Sequence, residues 1–118
     1  MSDYIIAIDQ GTTSSRAILY DRQLSPQASC SEELPLSYPH TGWVEQEPEA
    51  IWQSVLHCIR QLLQQNGIQA KQVAALALTN QRETTLLWDK KTSKTLYPAI
   101  VWQDRRTADQ CLALKQKA

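Results

Sequence analysis

Residues 4–20 read YIIAIDQGTTSSRAILY, two apolar runs on either side of a polar segment that favours a turn. The first run, Tyr4–Ile8, is rich in β-branched residues and predicts a strand that is buried on both faces. The second run, Arg16–Tyr20, predicts another strand. Because so few residues separate the two runs, the simplest connection between them is an antiparallel hairpin.

The middle of the chain predicts a third strand, a helix and a fourth strand. Gln27–Leu34 is a weaker strand candidate, and the loop from Pro35 to Pro48 follows it. Pro48 suits the first position of a helix, and Asn66-Gly67 supplies a left-handed stop. Between them, apolar residues recur at three- and four-residue spacing, which is typical of an amphipathic helix. They are Ile51, Trp52, Val55, Leu56, Ile59, Leu62 and Leu63.

Val73–Thr79 predicts a second buried strand, which a strand–helix–strand order places parallel to a sheet neighbour. Further along, Thr85–Trp88 and Thr95–Tyr97 flank the polar segment Asp89–Lys94, and this pattern predicts another hairpin. Ala99–Trp102 continues as a strand. The chain is therefore expected to be an α/β fold with a mixed sheet, an N-terminal antiparallel hairpin and helices packed on the sheet.

A second helix is expected to begin at Asp104 or Thr107. Thr107 with Gln110 three residues later would form a capping box, although Asp104 could cap the helix equally well. The apolar positions of this helix include Ala108, Cys111 and Leu112. No stop signal precedes Ala118, so residues 1–118 are interpreted as part of a domain that is cut inside a helix. The alternative is a short natural terminal helix, since helix ends often fray.

Composition narrows the possible functions. The chain has 118 residues, 42% of them hydrophobic, with 12 basic and 12 acidic side chains. The hydrophobic content argues against disorder. The equal numbers of basic and acidic side chains argue against nucleic acid as a partner and against a membrane-docking segment. The apolar runs are too short to cross a bilayer. The scattered cysteines argue against a zinc site or a disulfide framework and favour the reducing cytoplasm. They are Cys30, Cys58 and Cys111.

The segment after the first strand is a candidate phosphate-binding turn. Gly11 would allow the backbone to approach an anion, turn amides would point inward, and the hydroxyls of Thr12, Thr13 and Ser14 would add donors. Arg16 places a positive charge nearby. Asp9 would need a hydrated Mg²⁺ to bind phosphate. An ordinary hairpin turn explains the same residues, whereas the GxGxxG and GxxxxGK[ST] motifs are absent from the segment.

Two further polar clusters follow predicted strands. Arg82 offers a fork of donors and Glu83 offers acceptors, a combination that suits a small polyhydroxy compound. Neighbouring side chains on a straight strand point to opposite faces, so both reach one ligand only if the chain turns here. The alternative is a solvated loop. In the second cluster Trp102 could form an apolar wall or belong to the core, while Arg105 and Arg106 could be a solvated first turn.

Together these clusters resemble the N-terminal end of the FGGY carbohydrate kinase family, and within it the branch that phosphorylates glycerol. The DxGTT turn alone is weak, because much of the actin, Hsp70 and hexokinase superfamily carries a similar one. The Asn-Gln-Arg-Glu-Thr-Thr string at 80–85 is more specific. The matching stretches are AIDQGTTSSRA at 7–17, GWVE at 42–45, TNQRETT at 79–85 and PAIVWQDRRT at 98–107.

The resemblance implies an RNase-H-like lobe of the actin/hexokinase superfamily, here incomplete, that binds ATP and Mg²⁺. It implies that Asp9 helps hold the metal and that Arg82 and Glu83 bind glycerol hydroxyls, with Trp102 behind the carbon chain. The residues implied to contact the nucleotide phosphates are Thr12, Thr13, Ser14 and Arg16.

The implied reaction is transfer of the ATP γ-phosphoryl group to glycerol, which gives glycerol 3-phosphate. The family's general base is an aspartate expected beyond residue 118, so the chain alone is expected to be inactive. The complete protein is expected to be a cytoplasmic homo-oligomer. Three alternatives stay open: a kinase for another short polyol or sugar, a non-catalytic actin-like ATP-binding module, and a natural truncated relic without activity.

Overall fold

The computed structural model describes residues 3–117 and divides them into two compact units. We call residues 3–34 and 49–81 the sheet unit, and residues 35–48 and 82–117 the loop unit. Each unit is therefore built from two separate stretches of the chain. In chain order the main elements are β1 (Tyr4–Gln10), β2 (Ser14–Tyr20), β3 (Pro26–Glu33), β4 (Glu45–Gln46), α1 (Pro48–Gln65), β5 (Val73–Thr79), β6 (Ala99–Ile100) and α2 (Ala108–Gln116).

A four-stranded mixed sheet in the order β3-β2-β1-β5 is the frame of the sheet unit. β1 and β2 form the expected antiparallel hairpin, with Asp9 opposite Arg16, and β3 adds antiparallel to β2. β5 runs parallel to β1 and brings Thr79 beside Asp9. The predictions of the N-terminal hairpin, the third strand and the parallel strand are confirmed, and the mixed sheet agrees with the expected fold class.

The core of the sheet unit lies between one face of the sheet and α1. Ile6 and Ile8 from β1 and Leu19 from β2 are buried in one cluster with Cys58 and Leu62 from α1. The prediction that β1 is buried on both faces is wrong, because its opposite face is only half-buried and ends in an exposed aspartate. A sheet with a helix on one side alternates between buried and accessible residues.

α1 begins at Pro48 and is followed by Gly67 with φ +63°, so both predicted end signals of the helix are confirmed. Its most buried positions are Ser54, Cys58 and Leu62, which are spaced by four residues and share one face. Trp52, placed in the apolar stripe by its spacing, is 55% exposed. The reason is geometric, since two residues turn a helix by about 200° and put Trp52 opposite Ser54.

β5 differs from its prediction as a buried strand. Leu76 and Leu78 are 57% and 68% exposed, because β5 is at the edge of the sheet and α1 packs mainly over β1 and β2. An apolar cavity of about 330 Å³ lies between α1 and β5. Its lining includes Ile6, Ile59, Leu63, Val73 and Leu76.

The loop unit contains little regular structure. β4 pairs antiparallel with β6, with Glu45 opposite Ile100, and Thr85 pairs with Ile100 from the other side. The predicted loop 35–48 therefore includes a short strand, while the predicted strand Ala99–Trp102 is only two residues long. The second predicted hairpin is present as a single bridge between Trp88 and Thr95.

α2 begins at Ala108, one residue after the later of the two predicted starts, and Thr107 is at its N-cap position. The capping box is wrong, because the Thr107 side chain makes no capping hydrogen bond, and Asp104 binds other groups. None of the residues Ala108–Gln116 is buried, so the apolar register predicted from Ala108, Cys111 and Leu112 covers nothing in residues 3–117. The predicted cut at Ala118 lies outside the described residues.

Candidate functional site

Asp9 and Arg16 are cross-strand neighbours in the hairpin and are both exposed on the sheet face opposite the core. The Arg16 side chain alternates with the buried Ser15 and therefore lies on the same face of the sheet as Asp9. Residues 3–117 contain no group of three or more His, Cys, Asp or Glu that could hold a metal alone. A single exposed carboxylate still fits Mg²⁺, which retains several waters and uses one or two carboxylates together with substrate phosphates.

The turn between β1 and β2 is closed by its own backbone. The Gly11 N–H donates to the Ser14 carbonyl at 2.9 Å, and the Leu34 N–H donates to the Thr13 carbonyl at 2.8 Å. A Cβ at position 11 would lie 3.0 Å from the Ser14 oxygen. The close approach inside the turn favours glycine at position 11, and the Gly11 amide is used within the turn. The approach of this backbone to an anion stays a prediction. Thr12, Thr13 and Ser14 are at least partly accessible.

A buried polar network supports this turn, and the sequence pattern did not point to it. The Gln10 amide donates to the Gly11 carbonyl at 2.9 Å and to Ser15 Oγ at 3.3 Å. Ser15 Oγ and Ser54 Oγ share a hydrogen bond of 2.6 Å. Gln81 donates to Gln10 Oε1 at 3.2 Å and so joins the end of β5 to the end of β1. The available signal was the alternation that puts Gln10 and Ser15 on the core face.

Cys58 of α1 also contacts this network through Ser15. Its thiol donates to the Ser15 carbonyl at 3.6 Å, and burial raises the pKa of the Cys58 thiol to about 12. A thiol with so high a pKa stays protonated at neutral pH and is a poor nucleophile. Cys30, Cys58 and Cys111 are all free thiols. Cys58 is therefore a packing residue of the sheet unit.

Arg82 and Glu83 lie in a turn of the loop unit and are both exposed. Glu83 has a φ of +69°, a conformation that is strained for a residue with a Cβ. The change of direction that these neighbours need to reach one ligand is therefore present. Strained backbone of this kind is concentrated at ligand-binding positions, where the surrounding structure maintains it.

Trp102 lies close to this turn. The Trp102 N–H donates to Thr84 Oγ1 at 3.3 Å, and Thr85 pairs with Ile100. More than half of the Trp102 residue is exposed, so the alternative that it belongs to the core does not hold in residues 3–117. The loop unit thus brings Trp102 near Arg82 and Glu83, while Asp9, Arg16 and the residues of the phosphate-turn candidate belong to the sheet unit.

Arg106 is the centre of a charged cluster in the loop unit. Its guanidinium donates to both Asp104 carboxylate oxygens, at 3.0 Å and 2.8 Å, and to Glu45 Oε2 at 2.9 Å. It also stacks over Trp43, with 3.7 Å between the guanidinium carbon and the ring centroid. Tyr97 donates to Glu45 Oε2 at 2.8 Å. The interpretation of Arg106 as a solvated residue is wrong, because its side chain is only 14% exposed.

The groups of this cluster stabilise each other's charges. Hydrogen bonds from the Arg106 side chain lower the pKa of Asp104 to about 2, and the amides of Arg106 and Val44 add to the effect against the cost of burial. The same guanidinium lowers the pKa of Glu45, with a further hydrogen bond from Tyr97. Hydrogen bonding to Asp104 raises the pKa of Arg106. The cluster is therefore fully charged at neutral pH.

Comparison with known proteins gives these residues a context. The profile of the FGGY family of carbohydrate kinases, N-terminal domain, matches residues 4–118. The chain is 59% identical to a glycerol kinase of Nitrosomonas eutropha over 111 residues, which is 94% of this chain and 22% of that protein. It is 53% identical to glycerol kinase 1 of Pseudomonas aeruginosa over 115 residues, which is 98% of this chain and 23% of that protein.

Solved structures resemble the whole described fold. A gluconate kinase of Lactobacillus acidophilus matches with a TM-score of 0.88 and 29% identity, over 97% of this chain and 22% of that one. The Plasmodium falciparum glycerol kinase with ADP matches with a TM-score of 0.86 and 28% identity, over 99% of this chain and 24% of that one. The chain thus spans less than a quarter of these relatives. None of the helices in residues 3–117 is long and apolar enough to cross a membrane.

Proposed function

The chain belongs to the FGGY family of carbohydrate kinases, and we propose that the complete protein carrying it transfers the γ-phosphoryl group of ATP to glycerol, giving glycerol 3-phosphate. The observation that carries this proposal is the 59% identity with a glycerol kinase over nearly the whole chain. Membership of a kinase family favours an enzyme over an actin-like ATP-binding module.

On the alcohol side, the turn of Arg82 and Glu83 is the proposed glycerol-binding element. A guanidinium only donates hydrogen bonds and a carboxylate only accepts them, so the pair complements hydroxyl groups that do both. The positive φ of Glu83 and the exposure of both residues support this role. Trp102, held beside the turn through Thr84, offers an apolar surface to the carbon chain.

On the nucleotide side, the turn after β1 is the proposed phosphate-binding element. Thr12, Thr13 and Ser14 offer hydroxyl donors, and Arg16 adds positive charge on the face that also carries Asp9. Asp9 would hold a hydrated Mg²⁺, and that ion supplies charge neutralisation for the phosphates. The network around Gln10 keeps the turn in one conformation before the nucleotide binds.

Phosphoryl transfer depends on aligning the attacking oxygen, the phosphorus and the leaving group, with their charge neutralised. These residues would supply part of that arrangement, whereas the base that receives the glycerol proton is expected outside residues 1–118. The chain alone is therefore expected to show no ATP-dependent phosphorylation of glycerol. The free cysteines suit a reducing cytoplasm, and assembly of the complete protein as a homo-oligomer stays a prediction.

A kinase for another polyol or sugar is the second candidate. It is favoured by the gluconate kinase structure, which matches this fold with a TM-score of 0.88 against 0.86 for the glycerol kinase. The fold therefore does not select the substrate. Isothermal titration of the complete protein with glycerol, xylulose and gluconate separates the candidates, and binding of xylulose or gluconate in preference to glycerol would overturn the proposal.

The substitution Arg82→Ala tests the glycerol site directly. In the complete protein it should raise the glycerol KM by about 10² or more, because it removes the fork of donors, and leave the ATP KM within about twofold. Arg22→Ala removes an exposed arginine in the sheet unit and is the matched control. Steady-state kinetics with each substrate varied in turn gives both constants. A glycerol KM equal to that of the control would remove Arg82 from the site.

A further inference from the structure

We propose that Arg106 is a positioning residue for the glycerol-binding turn: it fixes the short strand ladder of the loop unit on which Trp102 and the Arg82–Glu83 turn are held. This inference rests on the proposed function and deepens it. Arg106 would not contact the substrate; it would act through the backbone that its partners hold.

Arg106 connects two segments of the loop unit that are distant in sequence. Its guanidinium binds Asp104, two residues away, and Glu45, which is 61 residues away in sequence. Asp104 Oδ2 also accepts the Val44 N–H at 2.7 Å. Arg106 and Asp104 together thus clamp the β4 segment against the segment that follows β6.

The segments that Arg106 and Asp104 join are also paired through their backbones. Glu45 pairs with Ile100, and the Val101 N–H donates to the Val44 carbonyl at 3.0 Å. On its other side Ile100 exchanges two backbone hydrogen bonds of 2.9 Å with Thr85. β6 therefore lies between β4 and the isolated bridge at Thr85, and the Arg106 clamp joins the segment after β6 to β4.

β6 is connected directly to the turn of Arg82 and Glu83. Thr85 is only two residues after Glu83, and Thr84 Oγ1 accepts the Trp102 N–H. A shift of β6 would therefore displace both the turn and Trp102. The buried apolar cluster is confined to the sheet unit, and the buried apolar residues of the described loop unit are Val44, Ala99 and Val101. With so small an apolar core, the charged clamp is the main constraint on the ladder.

The chemistry of the clamp requires arginine. The planar guanidinium binds Asp104 through two parallel hydrogen bonds, and one of the two donor nitrogens also binds Glu45. The guanidinium plane stacks on Trp43. A lysine ammonium keeps the charge but loses the paired geometry and most of the stacking. Arg105, its neighbour, is exposed, and it is connected to this region by its backbone N–H bond to Gly42.

The test compares Arg106→Met, Arg106→Lys and the matched control Arg105→Met in the complete protein. We expect Arg106→Met to raise the glycerol KM at least about tenfold and Arg106→Lys at least about threefold, with the ATP KM within about twofold. A purely structural defect lowers the fraction of active enzyme, and therefore kcat, without changing the glycerol KM. Arg105→Met should keep both KM values.

The outcomes separate this inference from the proposed function. If the unsubstituted complete protein does not phosphorylate glycerol, the proposed function fails and this inference fails with it. If it does, a glycerol KM within twofold of the control in Arg106→Met overturns only the role of Arg106. Should Arg106→Met not fold, Arg106→Lys decides: a raised glycerol KM supports the positioning role, and a fall in kcat alone overturns it.

Discussion

In the sheet unit, Ile6, Leu19 and Leu62 meet in an apolar core, whereas the best-connected buried contacts of the loop unit join Arg106 to Asp104 and Glu45. The sheet unit has four paired strands and an 18-residue helix. The loop unit has one two-stranded pair and the nine-residue α2, none of whose residues is buried. The proposed phosphate-binding turn belongs to the sheet unit, and the proposed glycerol-binding turn belongs to the loop unit.

The two units fix their proposed ligand-binding turns in different ways. Apolar burial is non-directional and depends on volume, so it fixes the sheet unit without setting individual angles. Charged hydrogen bonds are directional and depend on protonation. In the sheet unit the hydrogen bonds of Gln10 add such directional contacts beside the proposed phosphate-binding turn. In the loop unit the charged clamp supplies most of them.

The largest effect on stability is expected from Leu62→Ala. Leu62 is fully buried in the apolar core, so the substitution should lower the free energy of unfolding by about 3 kcal/mol through lost burial and a residual cavity. Urea unfolding of the chain, followed by circular dichroism, measures the loss. The matched control is Leu112→Ala in α2, where leucine is exposed, and it should cost less than about 0.5 kcal/mol. Equal losses would contradict the contrast between the units.

Lowering the pH is expected to have a smaller effect on stability, and one confined to the loop unit. The pKa of Asp104 is about 2 in the fold and 3.8 for an ordinary aspartate, so the unfolded chain binds the proton first. The stability contributed by this carboxylate is therefore complete above the unfolded pKa and is lost as the pH falls from about 4 through 2. The loop unit should loosen in this window while the apolar core of the sheet unit persists.

The Val44 amide reports this titration, because it donates to Asp104 Oδ2. Its NMR chemical shift, followed from pH 6 down to about pH 2, should move with a midpoint near the lowered pKa of Asp104. In Asp104→Asn the shift should lose this step. A midpoint at the ordinary value of an aspartate would show that the Arg106 clamp does not stabilise the charge.

The smallest effect is expected from Trp52→Gln on α1. Helical spacing placed Trp52 with the apolar stripe, but the structure exposes it on the side away from Ser54. The substitution should change the free energy of unfolding by less than about 0.5 kcal/mol, as surface substitutions do. Urea unfolding measures it beside Leu62→Ala. A loss of about 2 kcal/mol or more would place Trp52 in a core and remove the contrast between the two faces of α1.

Local signals were sufficient for much of the fold. The hairpin of β1 and β2, the start of α1 at Pro48 and its end before Gly67 follow from apolar periodicity and from turn chemistry. The same residues pointed to the candidate phosphate turn. Such features depend on neighbours in sequence, so the sequence carries them without knowledge of the rest of the fold.

The errors have a shared cause. The spacing of apolar residues predicted a buried β5, a stripe that includes Trp52 and an apolar register on α2, but burial depends on which element covers which face. The network of Gln10, Ser15 and Ser54 was missed for the same reason, since its members come from three elements.

The amino-acid sequence by itself determined the order β1, β2, β3, α1 and β5, the turn residues between them and membership of the FGGY family, because these depend on local propensity and on residue identity. Only the tertiary structure decided that Arg106 is held by Asp104 and Glu45, and that Trp102 lies beside the Arg82–Glu83 turn. The physical reason is distance along the chain: a contact between residues 45 and 106 exists only after the fold has brought them together, and no local pattern encodes it.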